Sequence, residues 1–528
     1  MKIAIAQINP ILGDFAGNKK SILDNIEKAR GKAELIVFPE MCVTGYPPKD
    51  LLFDNGFIAE SMNTIKDIAK KTKGISAIIG FASKDEKLHN SAAVIKDGRI
   101  MGIQHKSLLP SYDVFNEERY FGPAKEHHIF SIGMKVGIMI CRDLWDREYS
   151  IKPAEILAGK GAEIIIVISA SPYWHGKGDE RKLQLKKKAR KFGIPFVYVN
   201  IIGSEDGLVF DGESLAYNSK GELIAEARKF GEDFIIFDTE SEKINARKEN
   251  LEKNTYDAIV LALKDYFRKN GAKTAHIGLS GGIDSSVAAC IASDALGKKN
   301  VTGVFMPSEY TSRESRNYAQ KLAKNLGIGY IEMPIGKLFS VFKEEIGEHI
   351  KKNKQVTQEN IQARIRGNIL MALSNSEGSL VITTGNKSEL AMGYCTMYGD
   401  TAGSFAVLSD LYKTDVYNIA RYITRYSEII PKGTIEREPS AELRPNQKDS
   451  DELPKYSVLD PILKEHIENG KGGKEIIKMG FKKEVVDFVL GKVKDTEYKR
   501  KQLPPGVKVT KKAFGSGRQM PIASRYKG

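Results

Sequence analysis

Short apolar runs alternate with longer polar, helix-like stretches along the first 240 residues of the chain. The apolar runs are rich in residues that favour β-strands, and the stretches between several of them are long enough for helices. This alternation predicts a layered α/β domain. A Lys-Asp-Gly turn within 91–103 also predicts a hairpin. Strands are expected at 2–8, 34–40, 75–83, 91–100, 135–141, 163–171 and 196–203, with helices at 17–30, 56–72, 150–160 and 179–192.

The pattern changes near residue 241, and a second α/β rhythm follows. Apolar residues recur at steps of three and four from Tyr256 to Phe267, which predicts an amphipathic helix. We place the domain boundary just before this helix and predict domains at 1–245 and 246–528. Further strands are expected at 274–279, 301–306, 328–333 and 379–385, and functional lids or disordered loops at 393–410, 431–458 and 496–528.

Composition narrows the class of protein. With 41% apolar residues in 528, the chain can bury substantial cores and is not disordered overall. No apolar run approaches the roughly 18 residues of a membrane helix, and the N-terminus begins as a strand rather than a signal peptide. Four scattered cysteines without C-x-x-C spacing argue against a disulfide framework or a zinc site and fit a reducing cytoplasm.

The net charge of +14 raises the question of a nucleic-acid partner. Lys and Glu are interleaved along most of the chain, which favours a solvated surface over a polyanion site. The densest basic run, 181–193, is expected to be one exposed helix face. We therefore predict neither a nucleic-acid partner nor a membrane partner.

A Gly-rich loop, SGGIDSS at 280–286, joins a predicted strand to a helix. It lacks the Lys and the spacing of a P-loop. Its backbone N–H groups, its serine hydroxyls and the helix N-terminus suit an anion, and Gly281 and Gly282 let the backbone approach a phosphate. Asp284 would repel a bare phosphate, so it indicates Mg²⁺ between carboxylate and phosphate. A plain Gly-rich turn before a helix is the alternative.

SGGIDSS resembles the loop of the PP-loop ATP pyrophosphatase family, whose members cleave ATP to AMP and pyrophosphate and activate a substrate as an adenylate. Further stretches, at 359–371, 383–403, 410–420 and 438–456, resemble NAD⁺ synthetase. The resemblance covers nearly all of 270–528, and it implies a doubly wound parallel sheet that uses ATP and Mg²⁺.

The same resemblance implies roles for individual residues, each of which taken alone reads as an ordinary surface residue. Asp284 and Glu389 would hold Mg²⁺. Arg364 and Arg366 offer bidentate contacts to the dinucleotide. The implied ATP contacts are Leu279, Ser280, Gly281, Gly282, Ile283, Asp284, Ser285, Ser286 and Thr384. The implied dinucleotide contacts are Asn360, Glu389, Asp400, Lys413 and Lys511, with Lys512 as the alternative to Lys511.

Three residues of the N-terminal half, Glu40, Lys106 and Cys141, lie at or just beyond the ends of predicted strands. A lone Cys after a buried strand is more often a small core residue than a nucleophile. Placement at strand ends, where active sites collect, favours the catalytic interpretation. The chemistry is complementary as well, because a thiol nucleophile needs a base and its oxyanion needs a cation. Cys42, in the loop after Glu40, is expected to be structural.

Four stretches around these residues, VFPEMCVTGYPPKDLL, HKSLLPSYDVFNEERYF, ICRDLWD and SASPYWHGKGDER, resemble the nitrilase superfamily. The resemblance implies an α-β-β-α sandwich in which Cys141 attacks a carboxamide and releases ammonia. Glu40 would move the protons and Lys106 would stabilise the oxyanion. Glu117 resembles a second, structural glutamate, and the implied glutamine contacts are Tyr112, Ser171 and Lys177.

The residue after the candidate nucleophile departs from the superfamily pattern. Relatives commonly carry an acidic residue there, and this chain has Arg142. An adjacent cation is expected to lower the thiol pKa. It also leaves open what would meet the amino group of glutamine.

Together the halves resemble the glutamine-dependent NAD⁺ synthetase family, in which ammonia from glutamine amidates nicotinic acid adenine dinucleotide. The family implies a homo-oligomer with dimeric synthetase domains, homo-octamers among the larger assemblies, and a shielded route that keeps ammonia neutral. Three alternatives remain open: an RNA-modifying PP-loop enzyme, a non-catalytic basic binding protein, and a synthetase whose glutaminase is inactive because of Arg142.

Overall fold

The computed structural model describes residues 1–349 and 355–524, and the chain divides into two compact units. The first unit spans Met1–Glu249, and the second runs from Asn250 to the C-terminus. The division falls shortly after the boundary expected at 245/246. Within the described residues, no helix is both long and apolar enough to cross a membrane.

The first unit is built from fourteen strands and four α-helices among its described residues. The strands are β1 (Lys2–Gln7), β2 (Leu35–Val37), β3 (Ser76–Lys84), β4 (Leu88–Lys96), β5 (Arg99–His105), β6 (Ile129–Ser131), β7 (Lys135–Ile140), β8 (Ile164–Ser169), β9 (Phe196–Asn200), β10 (Ile202–Glu205), β11 (Leu208–Asp211), β12 (Leu215–Tyr217), β13 (Leu223–Glu226) and β14 (Asp233–Asp238). The helices are α1 (Phe15–Ala29), α2 (Asn55–Lys71), α3 (Pro153–Gly159) and α4 (Lys177–Phe192).

Two six-stranded sheets pack face to face in this unit. Their strand orders are β14-β1-β2-β3-β4-β5 and β13-β12-β9-β8-β7-β6. Ile3 and Val37 of one sheet meet Ile138 and Ile166 of the other in a shared core. Helices α1 and α2 pack on the outer face of the first sheet, and α3 and α4 on that of the second. The α-β-β-α sandwich expected from the sequence is confirmed.

Two strands end where the candidate catalytic residues begin. The strand expected at 34–40 stops at Val37, because Pro39 has no N–H to give to a ladder. Glu40 therefore lies in the loop beyond it. Strand β7 ends at Ile140, and Cys141 opens a 3₁₀ turn that runs to Leu144. The predicted hairpin forms between β4 and β5.

The second unit is a five-stranded parallel sheet with helices on both faces. The strands are β15 (Ala275–Leu279), β16 (Val301–Phe305), β17 (Gly329–Glu332), β18 (Leu380–Thr383) and β19 (Phe405–Ala406), in the order β17-β16-β15-β18-β19. The helices are α5 (Leu251–Lys269), α6 (Ile283–Leu296), α7 (Arg313–Leu326), α8 (Gly336–Ile346), α9 (Gln355–Glu377), α10 (Lys387–Met392), α11 (Lys413–Thr424), α12 (Lys432–Glu436), α13 (Tyr456–Ile467), α14 (Gly473–Lys478), α15 (Lys483–Asp495) and α16 (Glu497–Arg500).

The strand order of this sheet reverses at β15. The chain moves from β15 outward to β16 and β17, then returns to place β18 on the other side of β15. Helix α6 packs against α5 and α11, and helices α8 and α9 cover the β16 and β18 side through Phe339 and Ile365. The expected doubly wound sheet is confirmed, and its switch point is a ligand-binding position in such folds.

The basic run at 181–193 exposes Lys186, Lys187, Arg190 and Lys191 on one helix face, as expected, but the run is not exposed throughout. It lies in α4, and Arg181 at its start is fully buried. The Arg181 guanidinium donates to both carboxylate oxygens of Asp211, at 3.1 and 3.2 Å, and to Glu213 at 3.4 Å. Leu185 and Ala189 are buried on the same side of the helix because they pack on the second sheet.

We expect Arg181→Met to lower the free energy of unfolding of the first unit by about 3–5 kcal/mol, because it leaves the buried Asp211 carboxylate without its cation. Both tryptophans, Trp145 and Trp174, lie in this unit, so urea denaturation followed by tryptophan fluorescence reports on it alone. Lys187→Met, at an exposed position of the same helix, is the matched control and should change little. Equal effects of the two substitutions would contradict the prediction.

Candidate active sites

The Lys106 ammonium lies between two carboxylates in the first unit. Its Nζ donates to Glu40 Oε1 at 2.8 Å and to Glu117 Oε1 at 2.9 Å, and its side chain is 1% exposed. Burial alone would lower the pKa of Lys106, but Glu117 and Glu40 raise it well above its ordinary value. Glu117 is held in turn by the hydroxyl of Tyr46, which donates to it at 2.7 Å. Lys106 is therefore a fixed positive charge.

The Glu40 carboxylate accepts hydrogen bonds from three directions. Besides Lys106, Asn90 Nδ2 donates to Oε1 at 2.7 Å and the backbone N–H of Ala170 donates to Oε2 at 2.6 Å. Neither Asn90 nor Tyr46 was predicted from the sequence. Asn90 lies inside strand β4, where its amide has no sequence signal that separates it from other buried polar residues.

Cys141 begins its 3₁₀ turn with φ of 45°, a backbone region that residues other than glycine rarely adopt. Burial raises the pKa of its thiol to about 12, with Glu40 raising it further, whereas Lys106 and hydrogen bonding to Ser169 lower it. The thiol therefore lies within the electrostatic field of both predicted partners. The structure brings Glu40, Lys106 and Cys141 into one buried cluster.

Asp143 joins the two loops that carry Lys106 and Cys141. Its carboxylate accepts from the backbone N–H of Ile140 at 3.0 Å, of Ser107 at 3.1 Å and of Leu108 at 2.8 Å. Burial raises the pKa of Asp143 to about 7, and these backbone donors oppose the rise. The sequence carries a signal for this residue, an acidic side chain two positions after the candidate nucleophile, but Asp143 was not among the predicted residues.

The lowered thiol pKa expected beside Arg142 is not found, because burial and Glu40 raise it to about 12. The Arg142 guanidinium lies over the rings of Tyr112 and Tyr149, 4.8 and 5.2 Å from their centroids. It also donates to the Tyr112 hydroxyl at 2.9 Å. The pKa of the Cys141 thiol is raised by burial, and its cationic influence comes from Lys106.

The predicted glutamine contacts differ in burial and in the groups they touch. Tyr112 is about half exposed, at 47%, whereas Ser171 is buried next to the Ala170 N–H that binds Glu40. Lys177 Nζ lies 3.6 Å from the centroid of the Trp145 ring. Burial lowers the pKa of Lys177 to about 8, although Glu180 and Cys141 raise it. Trp145 was not predicted from the sequence.

Cys42 has the environment of a core residue, as expected. It is fully buried, and its Sγ lies 3.5 Å from the Gly80 carbonyl oxygen. Burial raises the pKa of this thiol to about 12. No carboxylate or ammonium contributes to that pKa, in contrast to Cys141.

In the second unit a cavity of about 430 Å³ opens at the carboxyl ends of β15, β16 and β18. This is the switch point of the sheet. The expected loops at 393–410 and 431–458 both contribute to its walls. The predicted residues that line it are Leu279, Ser280, Gly281, Gly282, Ile283, Asp284, Ser285, Asn360, Arg366, Thr384, Glu389, Asp400 and Lys413.

The Gly-rich loop wraps tightly at the mouth of this cavity. Gly281 has φ of 77°, and a Cβ there would lie 2.3 Å from the Ser315 carbonyl oxygen, so only glycine fits. The hydroxyls of Ser285 and Ser286 donate to the Gly282 carbonyl at 3.0 and 2.8 Å. Ser286 is buried and does not line the cavity, and its ATP contact stays a prediction.

The Lys413 ammonium lies between the two carboxylates that were predicted to hold Mg²⁺. Its Nζ is 2.6 Å from Asp284 Oδ2 and 2.8 Å from Glu389 Oε1, and Asn386 Nδ2 donates to Asp284 Oδ1 at 2.9 Å. Burial raises the pKa of Glu389 to about 7, and Lys413 opposes the rise. Two carboxylates that converge on one cation are a donor set that suits a hard divalent ion.

A third carboxylate, Asp449, acts electrostatically on Glu389 and Lys413. It raises the pKa of Glu389, and the Tyr456 hydroxyl donates to it at 2.8 Å. Both residues lie in the stretch 438–456 that carried part of the family resemblance, but neither was singled out. The acidic run around Asp449 was the available signal.

The far wall of the cavity holds the predicted dinucleotide contacts. Asn360 Oδ1 accepts from the Thr396 hydroxyl at 2.8 Å, and Asp400 Oδ1 accepts from the Thr396 N–H at 2.5 Å. Burial raises the pKa of Asp400 to about 6 and lowers that of Arg366 to about 10. Arg366 Nε donates to the Met306 carbonyl at 2.9 Å.

Three predicted cations do not line this cavity among the described residues. Arg364 Nε donates to the Met397 carbonyl at 3.2 Å. Lys511 is exposed and Lys512 is half-buried. The tail that carries them is anchored by Asp410, which accepts from the Thr510 N–H at 2.7 Å. The contacts predicted for these side chains stay predictions.

Two protein families match consecutive parts of this chain. The carbon-nitrogen hydrolase family matches residues 2–249, and the NAD synthase family matches residues 255–503. Similar proteins include the glutamine-dependent NAD(+) synthetases of Thermotoga maritima, 42% identical over 100% of this chain and 99% of the relative, and of Synechocystis, 41% identical over 99% of each.

Solved structures agree as well. A glutamine-dependent NAD⁺ synthetase from Acinetobacter baumannii in complex with ADP is 38% identical, covers 99% of this chain and 98% of that one, and has a TM-score of 0.80. A synthetase structure from Cytophaga hutchinsonii shares the fold with a TM-score of 0.86 at 23% identity. The two families matched in order, together with full-length identity above 40%, mean that this chain belongs to the glutamine-dependent NAD⁺ synthetase family.

Proposed function

We propose that this chain catalyses the final step of NAD⁺ biosynthesis, the ATP-dependent amidation of nicotinic acid adenine dinucleotide. Glutamine supplies the nitrogen, and AMP, pyrophosphate and glutamate are the co-products. One observation carries the proposal: a single chain holds a buried Glu-Lys-Cys cluster and a Gly-rich phosphate loop beside paired carboxylates. We assign the glutaminase to 1–245 and the synthetase to 246–528.

In the glutaminase, the Cys141 sulfur attacks the side-chain amide carbon of glutamine while Glu40 takes the thiol proton. Lys106 offsets the charge on the tetrahedral oxygen. The C–N bond then breaks, Glu40 returns the proton to the departing nitrogen, and ammonia leaves. Water, deprotonated by Glu40, hydrolyses the thioester to glutamate. Glu117 holds Lys106 in place, and Tyr112, Ser171 and Lys177 bind the rest of glutamine.

In the synthetase, the carboxylate of the nicotinic acid ring attacks the α-phosphorus of ATP, and pyrophosphate leaves. Ammonia attacks the carbonyl carbon of the adenylate and displaces AMP. The loop from Leu279 to Ser286 and Thr384 bind ATP. Asp284 and Glu389 would hold Mg²⁺, which offsets phosphate charge and stabilises the leaving pyrophosphate. Asn360, Asp400, Lys413 and Lys511 bind the dinucleotide.

Assembly and compartment complete the proposal. The chain forms a homo-oligomer through dimeric synthetase domains, and a homo-octamer is the larger assembly we test for. Its four free cysteines suit the reducing cytoplasm. Light scattering of the purified chain measures the assembly directly.

The first test compares wild type with Cys141→Ala, each given the dinucleotide, ATP, Mg²⁺ and either glutamine or ammonium. We expect the variant to lose glutamine-driven NAD⁺ formation and to keep the ammonium-driven reaction, because only the first needs the thiol. Cys42→Ala is the matched control and should keep both. Wild type that forms no NAD⁺ from either nitrogen source would refute the synthetase assignment, and RNA would then be tested as the substrate.

The resting form of Cys141 is expected to be the neutral thiol, because burial and Glu40 raise its pKa to about 12. The ultraviolet absorbance difference between wild type and Cys141→Ser should therefore show no thiolate ionisation near the ordinary cysteine value of about 8.5. In Glu40→Gln the removal of the carboxylate charge should move the ionisation to lower pH. An ionisation step at or below the ordinary value in wild type would show that the thiolate is the resting form.

Lys413→Met should reduce ammonium-driven NAD⁺ formation by about 10²–10³ in kcat, because it removes a positioned cation from the phosphate site. Steady-state kinetics with saturating ammonium isolates this half of the reaction. Lys432→Met, at an exposed lysine whose side chain is 78% accessible, is the control. Unchanged kinetics in Lys413→Met would remove Lys413 from the proposed site.

A further inference from the structure

One carboxylate and two imidazoles converge on strands β4 and β5 outside the Glu40–Lys106–Cys141 cluster. The ligand-capable atoms of Asp85, His89 and His105 all lie within 4.8 Å of one another. His89 Nε2 is 3.1 Å from Asp85 Oδ1, and His105 Nε2 is 3.8 Å from Asp85 Oδ2. Tetrahedral Zn²⁺ with bonds of about 2.0–2.2 Å separates its ligand atoms by about 3.3 Å, close to both distances.

The hydrogen bond at His89 Nδ1 determines whether His89 Nε2 carries a proton toward Asp85. His89 Nδ1 is 2.8 Å from the Gly122 carbonyl oxygen, which can only accept, so Nδ1 carries a proton. In the neutral ring, Nε2 then carries a lone pair that faces the Asp85 carboxylate oxygen. Two acceptors at 3.1 Å require a cation between them, either a second proton on His89 or a metal ion.

The second imidazole has the same arrangement of a tethered Nδ1 and an inward Nε2. His105 Nδ1 is 2.7 Å from Ser91 Oγ, which is itself 2.7 Å from Ser83 Oγ. Such outer partners orient the rings of metal-binding histidines. The two rings stack with centroids 4.1 Å apart, so protonating both would set two like charges against each other. In the tautomer whose Nδ1 donates to Ser91 Oγ, His105 Nε2 also carries a lone pair, and one divalent ion shared by both lone pairs avoids that repulsion.

We propose that Asp85, His89 and His105 form a binding site for a divalent transition-metal ion of the Zn²⁺ class, with solvent at the remaining position. Two imidazoles and a carboxylate are the ligands that such ions select over Mg²⁺ or Ca²⁺. Asp85 lies in the exposed turn between β3 and β4, so it has room to close the remaining distance to His105. The site is independent of the proposed catalytic function.

The site has a structural consequence for the strands that carry the catalytic cluster. Ser91 pairs with His105 across β4 and β5, so His89, Ser91 and His105 share one face of the ribbon. Asn90 and Lys106, which bind Glu40, occupy the alternate positions on the opposite face. A bound metal joins the β3–β4 turn to β5 directly behind these two residues.

The test is calorimetric titration of the chelator-treated full chain with Zn²⁺, with excess Mg²⁺ present to occupy the carboxylates of the second unit. We expect one Zn²⁺ per chain. Loss of an outer partner of a metal ligand costs about tenfold in affinity, so loss of a ligand in Asp85→Asn or His105→Gln should cost at least that. Asp85 is exposed, so its substitution leaves the core unchanged. His349→Gln, at an exposed histidine of the second unit, should bind as wild type does.

Co²⁺ in place of Zn²⁺ identifies the ligands. Nitrogen and oxygen ligands give visible ligand-field bands without a thiolate-to-metal charge-transfer band, and these bands should disappear in both ligand variants. A thiolate band would place the ion on a cysteine, and unchanged binding in Asp85→Asn and His105→Gln would place it away from these ligands. Either result would overturn the proposal. Absence of stoichiometric binding in wild type would also overturn it, because the cation beside His89 is then a proton.

Discussion

A buried lysine ammonium shared by two carboxylates organises each of the two sites. Lys106 lies between Glu40 and Glu117, and Lys413 lies between Asp284 and Glu389. Each cluster sets two carboxylates against one ammonium in a medium of low dielectric. Removing one partner from a buried pair leaves an uncompensated charge that destabilises the fold by several kcal/mol. The loops that carry these residues are therefore held in place by charge as much as by packing.

The two clusters differ in how completely their carboxylates are paired, and that difference matches their proposed chemistry. Glu40 accepts from Asn90 and from the Ala170 N–H in addition to Lys106, so every contact it makes is protein. Such a carboxylate moves protons without moving itself. Asp284 and Glu389 border an open cavity, so a substrate-bound cation can reach them beside Lys413.

The sequence predicted the elements and the charged residues better than it predicted their partners. Strand and helix periodicity is local, so strands of all three large sheets and the helix after residue 250 were found. Glu40, Lys106 and Cys141 were identified because they follow strands and resemble a known triad. Asn90 was missed, because its contact with Glu40 joins segments that are 50 residues apart in the chain and no local pattern marks such pairs. Arg181 was misassigned for the same reason: its partners Asp211 and Glu213 lie some thirty residues away.

The backbone at Cys141 explains why Arg142 has so little influence on the thiol. A φ of 45° at Cys141 turns the chain sharply, so successive side chains leave it in different directions. Cys141 and Asp143 are buried, whereas Arg142 reaches out to the Tyr112 ring. Arg142 is thus next to Cys141 in sequence but points away from it. Lys106, which is distant in sequence, is the cation that lowers the pKa of the thiol. The presence of Arg at position 142 therefore gives no electrostatic reason to regard the glutaminase as inactive.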